Sequence, residues 1–299
     1  MSQDSRYRSV FRDDLFDGQV HVVTGGGSGI GRCIAHELSA LGAKVVLTGR
    51  KADKLDTVMQ EIVDGGGAAS TRAFDIRDED AVRENVANIL ETEGRIDGLV
   101  NNAGGQFPAP LSAISKKGFE AVVSTNLTGG FLMAREAFNQ HMQEHGGSVV
   151  NIVADMHNGM PGMGHSGAAR AGMVNFTKTA AVEWAASGVR VNAVAPGWIA
   201  SSGLDTYDGP VQQMIASLKD HVPLRRLGEE AEVSSVVAFL LCPAAAFVTG
   251  VCVNVDGGAP LGTALYPTAD HDRSQPYQGF HLAKAPKVLA QASTSEGEG

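Results

Sequence analysis

The sequence predicts an α/β fold: a doubly wound parallel sheet in a single domain with a C-terminal extension. Apolar runs of strand length alternate with segments of helical periodicity from about residue 18 to residue 258. A glycine cluster stands between the first such run and the first helical segment. The runs are joined by segments long enough for helical crossovers, and strands connected that way pair in parallel, with both faces of the sheet covered.

The elements follow in order. His21-Val22-Val23 is the first apolar run and ends in Thr24 and the glycines. Ile30, Ile34, Leu38 and Leu41 then recur at helical spacing, and Gly42 stops the helix. Lys44-Val45-Val46-Leu47-Thr48 reads as the second strand. Leu55, Val58, Met59 and Ile62 form a second helical face, closed by Gly65-Gly66-Gly67. Further strands are expected at residues 71–74, 98–101, 148–153, 189–194 and 251–255, with helical patterns between them. No internal repeat and no linker marks a second domain, so the expected division is an N-terminal extension (1–17), one domain (18–258) and a tail (259–299). The tail is rich in Pro, Ala, Ser and Asp with weak periodicity. It reads as a partly ordered extension, or as a segment packed across a subunit interface or over a site.

Composition narrows the function. With 43% hydrophobic residues the chain can bury a large core, which excludes disorder throughout. Lys and Arg number 24 against 33 Asp and Glu, a formal charge of −9, and this argues against a general nucleic-acid or anionic-membrane binder. Cys33, Cys242 and Cys252 lack metal-ligand spacing and are too few for a disulfide scaffold, so a reducing compartment is expected. No His/Asp/Glu cluster points to a metal. The polar N-terminus has no apolar signal region, no run reaches the roughly 18 apolar residues of a membrane span, and Ser295-Glu296-Gly297-Glu298-Gly299 matches no organelle address. A cytoplasmic location is expected.

The glycine cluster reads Thr24-Gly25-Gly26-Gly27-Ser28-Gly29-Ile30-Gly31. Glycines let the backbone approach a pyrophosphate closely, and the following helix offers free N–H groups and a positive dipole end to the anion. Between a strand and a helix, such a cluster predicts a dinucleotide site. The spacing Thr-Gly-x-x-x-Gly-Ile-Gly resembles the short-chain dehydrogenase/reductase family, which has a Rossmann-type fold. The resemblance extends through Asp75, Asn101-Asn102-Ala103-Gly104, Asn126 within Thr125-Asn126-Leu127-Thr128-Gly129, Arg190-Val191-Asn192-Ala193-Val194-Ala195-Pro196-Gly197 and Val255-Asp256-Gly257-Gly258. It implies that Gly25, Ser28, Gly29, Ile30, Gly31, Asp75, Ile76, Asn102, Ala103, Gly104, Arg170, Pro196, Gly197 and Ile199 hold a nicotinamide cofactor. NAD sites carry an acid about 20 residues past the glycines. Here Gly49-Arg50 stands in that place, and a guanidinium suits a 2′-phosphate, so Arg50 favours NADPH.

The catalytic pattern departs from the family. Most members use Ser, Tyr and Lys, the last two as Tyr-x-x-x-Lys on one helix. The four tyrosines here, Tyr7, Tyr207, Tyr266 and Tyr277, are followed four places later by Phe11, Val211, Asp270 and His281. Aligned on Ala171-Gly172, Ser166 takes the Tyr position and Arg170 the Lys position. The strand-end serine is missing too, because Asn151-Ile152 runs into Val153-Ala154-Asp155. A serine hydroxyl is a poor acid and an arginine stays protonated, so the usual ketone/alcohol machinery is disabled.

Reduction of an activated C=C bond suits what is left. Hydride addition to C3 of a 2-enoyl thioester makes an enolate, whose oxygen needs hydrogen-bond donors rather than a full proton. His165-Ser166-Gly167-Ala168-Ala169-Arg170, Asn102-Ala103-Gly104-Gly105-Gln106-Phe107 and Glu144-His145-Gly146-Gly147-Ser148 resemble the peroxisomal trans-2-enoyl-CoA reductases, with the 2,4-dienoyl-CoA reductases also similar at Ser166. Those peroxisomal relatives have a Tyr four residues before the helix lysine, where Val174 precedes Lys178 here. The resemblance implies NADPH-dependent reduction of an acyl-CoA double bond, with Asn126, Ser166 and Arg170 at the chemistry, and a homotetramer built through helices that include residues 119–143 and 167–184. Two alternatives stay open: a ketoreductase or alcohol dehydrogenase with Tyr207 as donor, and an NADPH-binding protein without activity. Arg225-Arg226 is a candidate contact for CoA phosphates.

Overall fold

The computed structural model describes residues 6–206, 212, 214–215, 217–262 and 269–289. Strands β1 (Val20–Thr24), β2 (Lys44–Gly49), β3 (Ala68–Ala73), β4 (Gly98–Asn101), β5 (Gly147–Ile152), β6 (Val189–Pro196) and β7 (Cys252–Val255) form one sheet in the order β3-β2-β1-β4-β5-β6-β7. Every pairing is parallel. The helices between them are α1 (Gly29–Ala40), α2 (Ala52–Asp64), α3 (Glu79–Glu93), α4 (Lys116–Val123), α5 (Gly129–Ala137), α6 (Gln143–His145), α7 (Gly164–Glu183) and α8 (Glu230–Leu241).

Alternation along each strand sorts the core onto two faces. Val23, Val45, Leu47, Val150 and Val194 meet Ile34 and Leu38 of α1, Leu55, Val58 and Ile62 of α2, and Val233 and Val237 of α8. Their neighbours Val22, Val46, Leu99, Val149 and Val191 meet Val82, Val86 and Ile89 of α3, Leu132 and Met133 of α5, and Ala180 and Ala181 of α7. Burial on both faces is why the inner strands read as unbroken apolar runs.

Two elements differ from the sequence expectation. Strand β3 starts three positions before the expected residue 71. It pairs only with β2, and its side chains are half-buried or exposed, so the polar run Ser70-Thr71-Arg72 hides it. Ser70 and Thr71 donate hydrogen bonds to Glu93 and Asp56 instead of entering the core. The long helical path around residues 119–143 is broken by π-turns at Ser124–Thr128 and Phe138–Met142. Such turns re-aim side chains within a helix, and the first carries Asn126.

The described part of the tail lies on its own chain. Phe280 packs with Tyr7, Cys33 and Ala231, and the Arg8 N–H donates to the Gly279 carbonyl at 2.9 Å. Farther along, Val288 packs with Leu204, Ile215 and Leu218.

Candidate active site

Strand order reverses between β1 and β4, and sheets of this kind take their ligands at that point, outside the carboxyl ends of the strands. Thr24 joins the two turns there. Its hydroxyl accepts the N–H groups of Asn102 and Ala103, each at 2.9 Å. The Asn102 amide in turn donates to the carbonyls of Thr24 at 3.0 Å and Gly25 at 3.3 Å. The turns after β1 and β4 are therefore one hydrogen-bonded unit. A Cβ on Gly31 would collide with the Asn102 amide and the Gly25 carbonyl, so only glycine fits there.

Ser28 precedes α1 but its side chain caps nothing. The first-turn N–H groups of α1 therefore donate no hydrogen bond to their N-cap side chain, which is the arrangement that takes an anion. Gly29, the first helical residue, has φ +57°. These features fit the pyrophosphate of a dinucleotide.

At the far end of β2, Arg50 is exposed. Asp75 does not face it alone. Arg77 grips the Asp75 carboxylate through Nε at 2.9 Å and Nη2 at 2.5 Å, and the Arg77 N–H adds a third bond at 3.0 Å. These bonds hold the Asp75 carboxyl below its ordinary range, with the charge of Arg50 adding to the effect. Arg77 was not among the residues the sequence singled out, yet it brings a second guanidinium to this end. Ile76 is buried against Gly129.

Arg170, on α7, donates from Nη1 to the Ile152 carbonyl at the end of β5, at 2.7 Å. Its Nε is buried without a partner, and no ion pair reaches the guanidinium among the described residues. Burial pushes its pKa down to about 10, so it remains a cation at neutral pH. A buried cation of this kind needs a polar partner, and a ribose hydroxyl would supply one. Gly104 makes room for it: a Cβ there would lie 2.5 Å from Arg170 Nη2 and 2.7 Å from Asn126 Oδ1.

The two residues expected at the chemistry are turned inward. Asn126 is 2% exposed. It accepts the Gly105 N–H at 2.9 Å and donates to the Gly105 carbonyl at 2.7 Å. Ser166 is fully buried, and its hydroxyl donates to Gln106 Oε1 at 2.6 Å. Asn126 and Ser166 thus converge on the dipeptide Gly105-Gln106, which is itself exposed in the loop after β4. The Ser166 hydroxyl, expected at the chemistry, is bonded to Gln106 rather than open to solvent. Gln106 is not among the residues the sequence points to, although it lies within Asn102-Ala103-Gly104-Gly105-Gln106-Phe107. Beside it, the buried His165 accepts the Ser166 N–H at Nδ1, leaving Nε2 without a partner, and its ring stands edge-on to Phe107 at 4.4 Å.

The Gly197 N–H donates to the Val255 carbonyl at 2.9 Å, and a Cβ on Gly197 would meet Asp256 at 2.7 Å. Pro196 ends β6 and accepts the Asp155 N–H at 3.1 Å, while Ile199 bridges to Gly228 and is buried. Tyr207 lies outside the described residues. Tyr7 bonds to Glu37 and Ser234, and Tyr277 to the Arg8 carbonyl, so neither stands beside Ser166 or Arg170. Arg225 and Arg226 are not open to a phosphate: Arg225 pairs with Asp270 of the tail and Arg226 with Glu232 at 2.6 Å.

Comparison with known proteins agrees with this geometry. Residues 25–260 match the sequence pattern of the family described as Enoyl-(Acyl carrier protein) reductase. A peroxisomal 2,4-dienoyl-CoA reductase from Danio rerio is 36% identical over 264 residues, which cover 87% of each chain. A 3-oxoacyl-[acyl-carrier-protein] reductase from Synechocystis is 39% identical over 80% of this chain and 96% of its own. The solved structure of a citronellol catabolism dehydrogenase from Pseudomonas aeruginosa PAO1 is 61% identical, covers 85% of this chain and 99% of its own, and superposes with a TM-score of 0.77. With its ordered motifs, its parallel seven-stranded sheet and these relatives, the chain belongs to the short-chain dehydrogenase/reductase family of nicotinamide-dependent oxidoreductases.

Proposed function

We propose that this protein reduces a carbon–carbon double bond conjugated to an acyl thioester, of the 2-enoyl or 2,4-dienoyl type, with NADPH. The observation that carries the reading is the place where the family keeps its acid. Ser166 stands there, buried and bonded to Gln106. Carbonyl reduction requires a proton delivered to an alkoxide-like oxygen. An enolate oxygen needs only fixed donors, and the proton that completes the reduction goes to C2, from water. The Gln106 amide would contribute such a donor toward the substrate: Ser166 engages its oxygen, and Asn126 holds the backbone of the preceding residue. Arg50 favours the 2′-phosphate of NADPH over the bare ribose of NADH. When bound, the nicotinamide supplies the hydride. Arg170 holds the ribose and adds positive charge beside the reacting carbons. The names of the dienoyl-CoA reductases among the relatives support the same substrate class.

A second reading is oxidation of a primary alcohol, favoured by the 61% identity to a citronellol catabolism dehydrogenase. It requires a base for the alcohol proton, and neither Ser166 nor Arg170 supplies one.

One assay separates the two. Purified protein is supplied with crotonyl-CoA, a longer 2-enoyl-CoA, a 2,4-dienoyl-CoA or a 3-oxoacyl-CoA, each with NADPH or NADH, and with citronellol and NADP+ or NAD+. NADPH oxidation with the unsaturated thioesters is expected. Turnover of citronellol or the 3-oxoacyl thioester, with the unsaturated ones untouched, would replace the reading.

A further inference from the structure

Glu230 occupies a position that neither the fold nor the proposed chemistry explains. It opens α8 and is only 9% exposed. No hydrogen bond or ion pair engages its carboxyl among the described residues. The group is directed at the start of α1. A Cβ on Gly29 would lie 3.9 Å from Glu230 Oε1 and 3.9 Å from Ser202 Oγ, so these two side chains flank the first residue of that helix.

We infer that binding of the dinucleotide pyrophosphate carries one proton from solvent onto Glu230, whose carboxylic acid then donates a hydrogen bond to a phosphate oxygen. An ionised carboxylate at this distance from the anion site would repel the phosphates, whereas the neutral acid supplies the donor that the site wants. The free protein is already poised for this. Burial pushes the Glu230 pKa up to about 7, with Glu229 raising it further and Arg32 opposing. The groups that face it are few. Arg32 and Cys33 approach from α1, Ser202 from the loop after β6, and Glu229 from α8 itself. Arg32 is held by both oxygens of Glu61, at 2.7 and 2.9 Å. Burial pushes the Cys33 thiol up, so it stays neutral across the useful range.

The inference needs a nucleotide pyrophosphate and no acyl substrate, so it stands or falls apart from the proposed function. ADP-ribose is the probe, because it lacks the 2′-phosphate that titrates on its own. Calorimetric titration of the whole protein, in buffers of differing ionisation heat between pH 6 and 9, counts the protons exchanged. About one proton taken up per ADP-ribose is expected near pH 8, with Kd rising about tenfold per pH unit above 7. Glu230→Gln should take up none and show a flat Kd across the range. A wild-type count of zero, or an unchanged count in Glu230→Gln, overturns the inference. Should the variant fail to fold, the wild-type count decides alone.

Discussion

The Ser166 hydroxyl donates to the Gln106 side-chain oxygen across 2.6 Å, joining two residues 60 positions apart. The bond fixes which end of the Gln106 amide faces α7. A residue standing in the position of the family's acid is thus bonded here to a neighbour in the loop after β4.

Gln106→Ala should lower kcat for unsaturated thioesters by about 10²-fold, the usual cost of losing one oxyanion donor. Ser166→Ala should cost less, about tenfold, because it loosens the donor without deleting it. The double variant should be no slower than Gln106→Ala alone, since the serine acts only through the glutamine. Steady-state kinetics on the three variants, with NADPH binding measured beside them, checks this. Additive losses would give Ser166 a separate role.

Arg50→Asp should weaken NADPH binding by about 10- to 100-fold, corresponding to the loss of a charge-assisted pair and the gain of a repulsive one. NADH binding should change little, because it carries no 2′-phosphate. Fluorescence titration with both nucleotides reads the ratio. Equal losses would show that Arg50 does not discriminate between them.

Much of this was legible in the sequence where the cause is local. The run Val22-Val23 with its glycines gave β1 and the turn after it, because a doubly buried strand needs apolar side chains on both faces. Strand β3 was misplaced because it is an edge strand, and its Ser and Thr find partners on neighbouring helices rather than in the core. The motifs place Asn126 and Ser166 in the chain, but they carry no sign of the direction in which the two side chains point. That direction depends on Gly105-Gln106, brought to them only when β4, α5 and α7 pack. Arg77 and Glu230 escaped notice for the same reason, since a charged residue in sequence gives no sign of whether it will be paired or buried.

Adjacent glycines in the loop after β4 give opposite expectations. Gly104→Ala places a Cβ 2.5 Å from Arg170 Nη2 and 2.7 Å from Asn126 Oδ1, and neither the buried guanidinium nor the doubly bonded amide can yield easily. It should cost about 1–3 kcal/mol of stability and lower activity with it. Gly105→Ala meets nothing within 4 Å and should fold with near wild-type stability. Chemical denaturation of the two variants in parallel tests the contrast, and equal stabilities would mean that Arg170 has another place to go.

Glu230 also makes the free protein's stability depend on pH. Its pKa rises from an ordinary 4.5 to about 7 on folding, so between those values the folded state holds more protons than the unfolded one. Stability contributed by this group is therefore complete below pH 4.5 and is lost as pH rises through 7, by about 3 kcal/mol in all. Glu230→Gln cannot ionise and should lose nothing over that interval. The two proteins should match near pH 4, and the variant should be the more stable one at pH 8, in urea unfolding without nucleotide. A difference that stays constant from pH 4 to pH 8 would mean that the carboxyl titrates as freely in the folded chain as in the unfolded one, and that its burial at the start of α1 is only apparent.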